Sequence, residues 1–251
     1  MSILAIDTAT QVSSVAIAQP GRLQAEITLQ ARLTHSETLM PHIQQVLDMA
    51  DTKAADLEGI AISIGPGSFT GLRIGLATAK AMCYALDKPL VTVSTLAALA
   101  CHLPLPGICL LPLIDAQKGN AYYARYRWEN GGLVAEDEVS VGATADIVAG
   151  CAAEKRPVIL LGDVTQRRIA GRMELPDNVT IAPAHELMPR AACVAMLGLR
   201  ELAQGHTANV MDAAPIYIRR SEAEVLWEKR HPESASTQEA HAVLVPTEGK
   251  S

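Results

Sequence analysis

One layout occurs twice along the chain, and it limits the folds available. Near the start, "ILAIDTATQVSSVAIAQ" is an apolar run ending at Asp7, then a short polar turn, then a second apolar run. Near the middle, "CLLPLIDAQKGNAYYARYRW" repeats that order, with Asp115 closing the first run and Gly119 in the turn. In each half a third strand-like run follows, then a helical stretch, a buried apolar run and another helical stretch. In the first half these are Glu26–Ala31, "THSETLMPHIQQVLDMAD", Gly59–Ile64 and the stretch ending at Leu86. In the second half they are "LVAEDEVSV", "TADIVAGCAA", "VILLGDV" and "TQRRIAGRM". A βββαβα(β) unit used twice predicts an α/β protein of two similar lobes. The break falls near Leu103–Gly107, "LPLPG", giving residues 1–103 and 104–231, the last segment of the second lobe packing back on the first. Residues 232–251 lack helical or strand period and read as a mobile polar tail.

Within the halves the punctuation is specific. Thr34 followed by Glu37 fits a capping box, and Leu39, Ile43, Val46 or Leu47, and Ala50 recur at helical spacing. Pro41 requires that this helix begin late or kink. Ser68 or Thr70 can cap the next helix, and Pro189 and Gly205 bracket a long final one. Tyr122, Ala124, Tyr126 and Trp128 alternate with Tyr123, Arg125 and Arg127, as along one strand packed under helices. Aromatic residues make up only 3% of the chain, so Ala, Val, Ile and Leu must fill both cores.

The stretch "ISIGPGSFTGLRIGLATAKAMCYAL" carries glycines between a strand and a helix, the layout of a phosphate loop. It is neither of the common ones. Three residues separate Gly67 from Gly71 and no lysine follows, so the Walker pattern fails; Thr70 stands where a dinucleotide fingerprint needs its third glycine. Gly71, Gly75, Thr78 and Met82 share one helix face, and Phe69, Leu72, Leu76, Ala79, Cys83 and Leu86 another. The second set is the expected core stripe. The first is a smooth strip, suited either to close packing within the chain or to a partner helix. Each helical glycine costs about 1 kcal/mol relative to alanine, so two of them need such a reason.

Asp7 and Asp115 sit where a nucleotide-dependent enzyme of duplicated design would hold magnesium, with the following turns, Gly119 included, donating N–H groups to phosphate. An aspartate capping its own turn accounts for the same pattern. Metal and hydrolase motifs are incomplete: "HELMP" has Pro189 where a zinc site needs its second histidine. The five cysteines are widely spaced and form no C-x-x-C pair, as expected of reduced, buried thiols. No signal peptide or membrane span is expected. The net charge of −6 argues against RNA binding by this chain alone. Arg219, Arg220, Lys229 and Arg230, interleaved with glutamates, fit a solvated helix face as well as an RNA contact.

Taken together, "ILAIDTAT…SVAIA", "HSETLMPHI", "GPGSFTGLRIG", "VSTLAALA" and "PIYIRRSE" resemble the TsaB (YeaZ) family of tRNA threonylcarbamoyladenosine biosynthesis proteins over about residues 1–231. The resemblance implies an actin-like, two-lobed fold of the hsp70 and sugar-kinase type. It implies a non-catalytic cytoplasmic subunit that binds the transferase TsaD, works with the ATPase TsaE, and meets tRNA only through the complex. It also implies that two first-lobe helices, about Ser36–Ala50 and Ser68–Leu86, bundle with TsaD or with a second copy of the chain. Leu39, Ile43, Gly71, Gly75, Thr78 and Met82 are then the expected interface. TsaD-like chains carry an H-x-x-x-H metal pair where this one reads "VSTLAALACH", and "LLGDVTQ" lacks their Gly-Gly…Asn signature. No catalytic residue, no metal and no tightly bound cofactor is therefore expected, with ATP or ADP only at the joint with TsaD. An active ATP-dependent kinase of the same fold and a metallopeptidase are the alternatives.

Overall fold

In the computed structural model, residues 2–30, 35–216 and 218 are described. They fall within one compact unit, Met1–Ile218; a second unit, Arg219–Ser251, lies outside the described residues, and with it the basic cluster and the tail. The capping box falls outside them too, because Thr34 does.

The first lobe is a five-stranded sheet of β1 (Ile3–Asp7), β2 (Val12–Gln19), β3 (Arg22–Gln30), β4 (Gly59–Ser63) and β5 (Leu90–Val93), in the order β3-β2-β1-β4-β5. β1 and β4 are apolar throughout except for their last residues and buried throughout, as strands covered on both faces must be. On one face lie α1 (His35–Met49), which includes Pro41, and α2 (Phe69–Leu86). Their Leu39, Ile43, Val46, Leu76 and Cys83 pack with Leu4, Ile6 and Ile62.

The second lobe repeats that order with β10 (Ser140–Ala143), β7 (Asn120–Tyr123), β6 (Cys109–Asp115), β11 (Val158–Leu161) and β12 (Val179–Ile181). This is the duplicated actin-like α/β arrangement. The predicted aromatic strand is in fact two, β7 and β8 (Tyr126–Glu129), and the predicted run "LVAEDEVSV" is likewise split into β9 (Gly132–Ala135) and β10. The cause is local: Arg125 N–H donates to Asp137 and Glu136 N–H donates to the Arg125 carbonyl. The chain turns off there into a β8–β9 hairpin before β10 returns to pair with β7. The stretch after Gly162, expected as a helix, is a short one whose Thr165–Ile169 has the wider π-helical turn. Between the sheets lies α3 (Thr95–Ala100), whose Leu96 and Leu99 pack with Leu110 and Ile114 of β6. α4 (Thr144–Gly150) covers the second sheet.

The last helix, α5 (Ala191–Ala203), follows the second lobe in sequence but lies on the first. Its Ala191, Val194 and Ala195 pack with Ile3, Ala5 and Ala61. Its N-terminal N–H groups are satisfied from the first sheet: Ala191 N–H donates to Ser14 Oγ and Ala192 N–H to Glu26 Oε1. Arg190, two residues into the stretch that Pro189 was expected to open, pairs with the same Glu26 carboxylate. Capping by distant side chains explains why the helix starts at Ala191 without a local cap.

Candidate functional site

The first strand-end corner is built from the β1–β2 turn and the "GPGSFTG" loop. Asp7 closes β1 with none of its surface exposed. Its Oδ1 accepts from Ala9 N–H at 3.0 Å, while Oδ2 has no hydrogen-bond partner. Burial pushes the carboxyl up to about 6, against the pull of the Ser63 hydroxyl and the Ala9 N–H. The loop then closes over this turn. Ser68 N–H donates to the Ala9 carbonyl at 2.6 Å, and Ser68 Oγ caps α2 by accepting from Gly71 N–H at 3.3 Å. Thr8 Oγ1 donates to the Gly71 carbonyl at 2.8 Å. The Gly65–Pro66 peptide is cis.

The glycines are what allow this approach. A Cβ built on Gly67 would fall inside contact distance of the Ala9 carbonyl, and one on Gly75 would do the same against Thr8 Oγ1. So the smooth strip of α2 faces inward. Gly71 and Gly75 are buried with Leu72, Leu76, Ala79 and Cys83 on one broad face. Of the six expected interface residues, Gly71 and Gly75 are thus turned into the chain's own packing. Leu39 and Ile43 are each 1% exposed and belong to the first-lobe core. Thr78 and Met82 are half-buried, Met82 against that core and Thr78 donating to the Ile74 carbonyl. The physical reason is that glycine served the approach of helix to sheet, and the two sets of small and large residues merge into one buried face.

The second corner is arranged differently. Asp115 Oδ1 accepts from Gln117 N–H at 2.7 Å and from Arg168 Nη2 at 2.6 Å, and Arg167 lies 3.5 Å from its other oxygen. Gln117, Lys118 and Gly119 all have positive φ, and the Gly119 carbonyl accepts from both Thr144 N–H and Thr144 Oγ1. The structure thus puts Asp7 and Asp115 at matching strand ends, one sealed by the chain's own loop and the other clamped by arginines. Among the described residues no three His, Cys, Asp or Glu side chains gather as metal ligands.

What remains outward on α1 and α2 is a surface the sequence reading passed over. On α2, Phe69, Arg73, Ala77, Ala81 and Tyr84 are exposed, with Tyr84 at 80%. The Arg73 guanidinium lies 3.8 Å over the Phe69 ring. On α1, Met40 at 53% and Met49 at 59% flank Gln44 and Asp48. The signal was present as the complement of the buried face, since Phe69, Arg73, Ala77, Ala81 and Tyr84 follow helical spacing. Met40, Met49, Phe69 and Tyr84 are the large apolar side chains exposed on these two helices.

Comparison with known proteins gives this surface a context. The sequence model of TsaD, tRNA N6-adenosine threonylcarbamoyltransferase, matches residues 28–227. A tRNA threonylcarbamoyladenosine biosynthesis protein TsaB from Bacillus subtilis is 32% identical over 90% of this chain and 98% of its own. The protein of the same name from Escherichia coli is 31% identical over 91% of this chain and 98% of its own. A crystal structure from Pseudomonas aeruginosa, described as an uncharacterized protein with similarity to peptidase YeaZ, superimposes with a TM-score of 0.76 at 26% identity. It covers 87% of this chain and 99% of that one.

Proposed function

Since this chain belongs to the TsaB family, we propose that it is the non-catalytic partner of a TsaD-type transferase in making threonylcarbamoyladenosine on tRNA, docking through the outward face of α1 and α2. One observation carries the reading: the outward sides of the two helices expose the large apolar side chains Met40, Met49, Phe69 and Tyr84, while their inward sides are buried in the first-lobe core. Methionine and aromatic side chains are the types enriched at the centres of protein interfaces. The two corners support the non-catalytic part. The loop packs over the turn at Asp7, and Arg167 and Arg168 pair with Asp115. With a net charge of −6, it meets tRNA through the complex rather than alone. Among the described residues no helix is long and apolar enough to cross a membrane, and the proposed setting is the cytoplasm.

The test is a calorimetric titration of the purified chain with TsaD, using wild type and Tyr84→Asp. The wild type binds; the variant, which places a charge on an 80% exposed position, keeps its melting temperature and loses affinity by about tenfold, or about 1.4 kcal/mol. Equal affinities, or no binding by the wild type, would refute the reading. A threonylcarbamoyl transfer assay on the chain alone is expected to give no product.

A further inference from the structure

After α5 the chain returns across the first lobe as a strap over residues 208–216. Ala208 bridges Leu90 of β5, and Ile216 N–H donates to the Ile64 carbonyl at 2.9 Å, beside the "GPGSFTG" loop. Between these ends Lys80 of α2 fixes the strap. Its ammonium donates to the Met211 carbonyl at 2.8 Å and to the Ala213 carbonyl at 3.1 Å. Met211 N–H in turn donates to Asn209 Oδ1 at 2.9 Å. Val210 and Ala213 turn inward onto the first-lobe core. Met211 turns outward and is 73% exposed. A flexible apolar side chain is thus held outside on backbone that is pinned from both ends and from the middle. Lys80 lies one helical turn from Tyr84 and from Ala77, so the strap runs beside the outward face of α2.

We propose that the docking face of α1 and α2 continues onto this strap, with Met211 as a contact residue for the same TsaD-type subunit; this rests on the reading given above. Three things favour that occupant. The surface is continuous through Lys80 with the proposed interface. Its large apolar side chains are Tyr, Phe and Met, and the Lys80 charge is directed into two carbonyls and so withdrawn from the face. And methionine suits the rim of an interface, because its flexible thioether adapts to a partner's surface.

The experiment titrates TsaD into the full chain as wild type, Tyr84→Asp and Met211→Asp, with the melting temperature and the self-association of each measured alongside. Met211→Asp is expected to weaken TsaD binding by about fivefold or more at an unchanged melting temperature. If Met211→Asp lowers the melting temperature, Met211→Gln, of similar length and uncharged, replaces it under the same criterion. Binding within roughly twofold of wild type, while Tyr84→Asp is weakened, would overturn the inference and leave the α1–α2 reading standing. Loss of self-association with TsaD affinity intact would also overturn it, assigning the strap to a second copy of the chain. Absence of wild-type binding would remove both.

Discussion

Gly75 offers a direct test of whether the glycines of α2 are there for the sheet. A Cβ built on it lies closer than 3.0 Å to Thr8 Oγ1, 3.1 Å from Ile62 Cδ1 and 3.4 Å from Thr8 Cβ. The Ile62 methyl is the end of a flexible side chain and can give way. Thr8 cannot move cheaply: it is fully buried, and its hydroxyl is committed to the Gly71 carbonyl at 2.8 Å. Rotating it would break that bond, worth about 1 kcal/mol net, and bring the methyl toward the intruding atom. Overpacking of this kind costs roughly 1–3 kcal/mol. Against this, alanine is the better helix former by about 1 kcal/mol. Gly75→Ala should therefore destabilise by about 1–3 kcal/mol. For a unit of this size that is a fall of roughly 2–10 °C in melting temperature.

The cycle with Thr8→Ala isolates the cause. Removing the hydroxyl takes away the offending atom and leaves Cβ against Cβ at 3.4 Å, ordinary contact. The double variant should then be more stable than the sum of the single losses by about 1 kcal/mol or more. A higher melting temperature for Gly75→Ala would mean that propensity outweighs contact and would refute the inward packing; a strictly additive cycle would refute the role of Thr8.

Two further predictions concern buried ionisable groups. Asp7, raised to about 6 by burial, binds its proton more tightly folded than unfolded, so its contribution favours the fold below pH 4 and is lost as pH rises through 6. Asp7→Asn should then raise the melting temperature at pH 7.5, by an amount equivalent to about 3 kcal/mol at most, and a lower one would count against it. His102, with a side chain 1% exposed and its Nδ1 2.9 Å from Glu186, is depressed by burial despite that carboxylate. Its contribution is present above pH 6.5 and lost as pH falls through the lowered value, so an NMR titration of its imidazole should show a midpoint below 6.5. A midpoint at or above 6.5 would refute that account.

The duplicated fold was legible because its signals are local. Ile3–Asp7 and Cys109–Asp115 are apolar runs long enough to be read as buried strands, and each is followed by a turn and a partner. Ser68 as the cap of α2 and Gly205 beyond the end of α5 follow from backbone chemistry alone. The misread strands failed for a reason no local pattern carries. Tyr122 to Trp128 does alternate, but Arg125 meets Asp137 from twelve residues on and the strand divides there. The start of α5 was hidden likewise, because its caps, Ser14 and Glu26, come from β2 and β3.

The inward face of α2 was hidden for a related reason, and it separates two uses of glycine. Glycines spaced four apart on a helix say that some backbone comes close; they do not say whose. In α2 the neighbours are the turn after β1 and β4, and the evidence is the Thr8 hydroxyl on the Gly71 carbonyl, a contact across the fold between residues far apart in sequence, with Ile62 beside Gly75. Once the glycines are assigned to the sheet, they join Leu72, Leu76, Ala79 and Cys83, and the exposed remainder is fixed by geometry rather than chosen. That remainder holds Phe69, Arg73 and Tyr84, residue types that cost little in a helix and offer contact area to a partner. Close packing of the "GPGSFTG" loop onto Asp7 therefore has two consequences from one cause. It packs the strand-end corner at Asp7, and it orients α2 so that Tyr84 faces away from the chain.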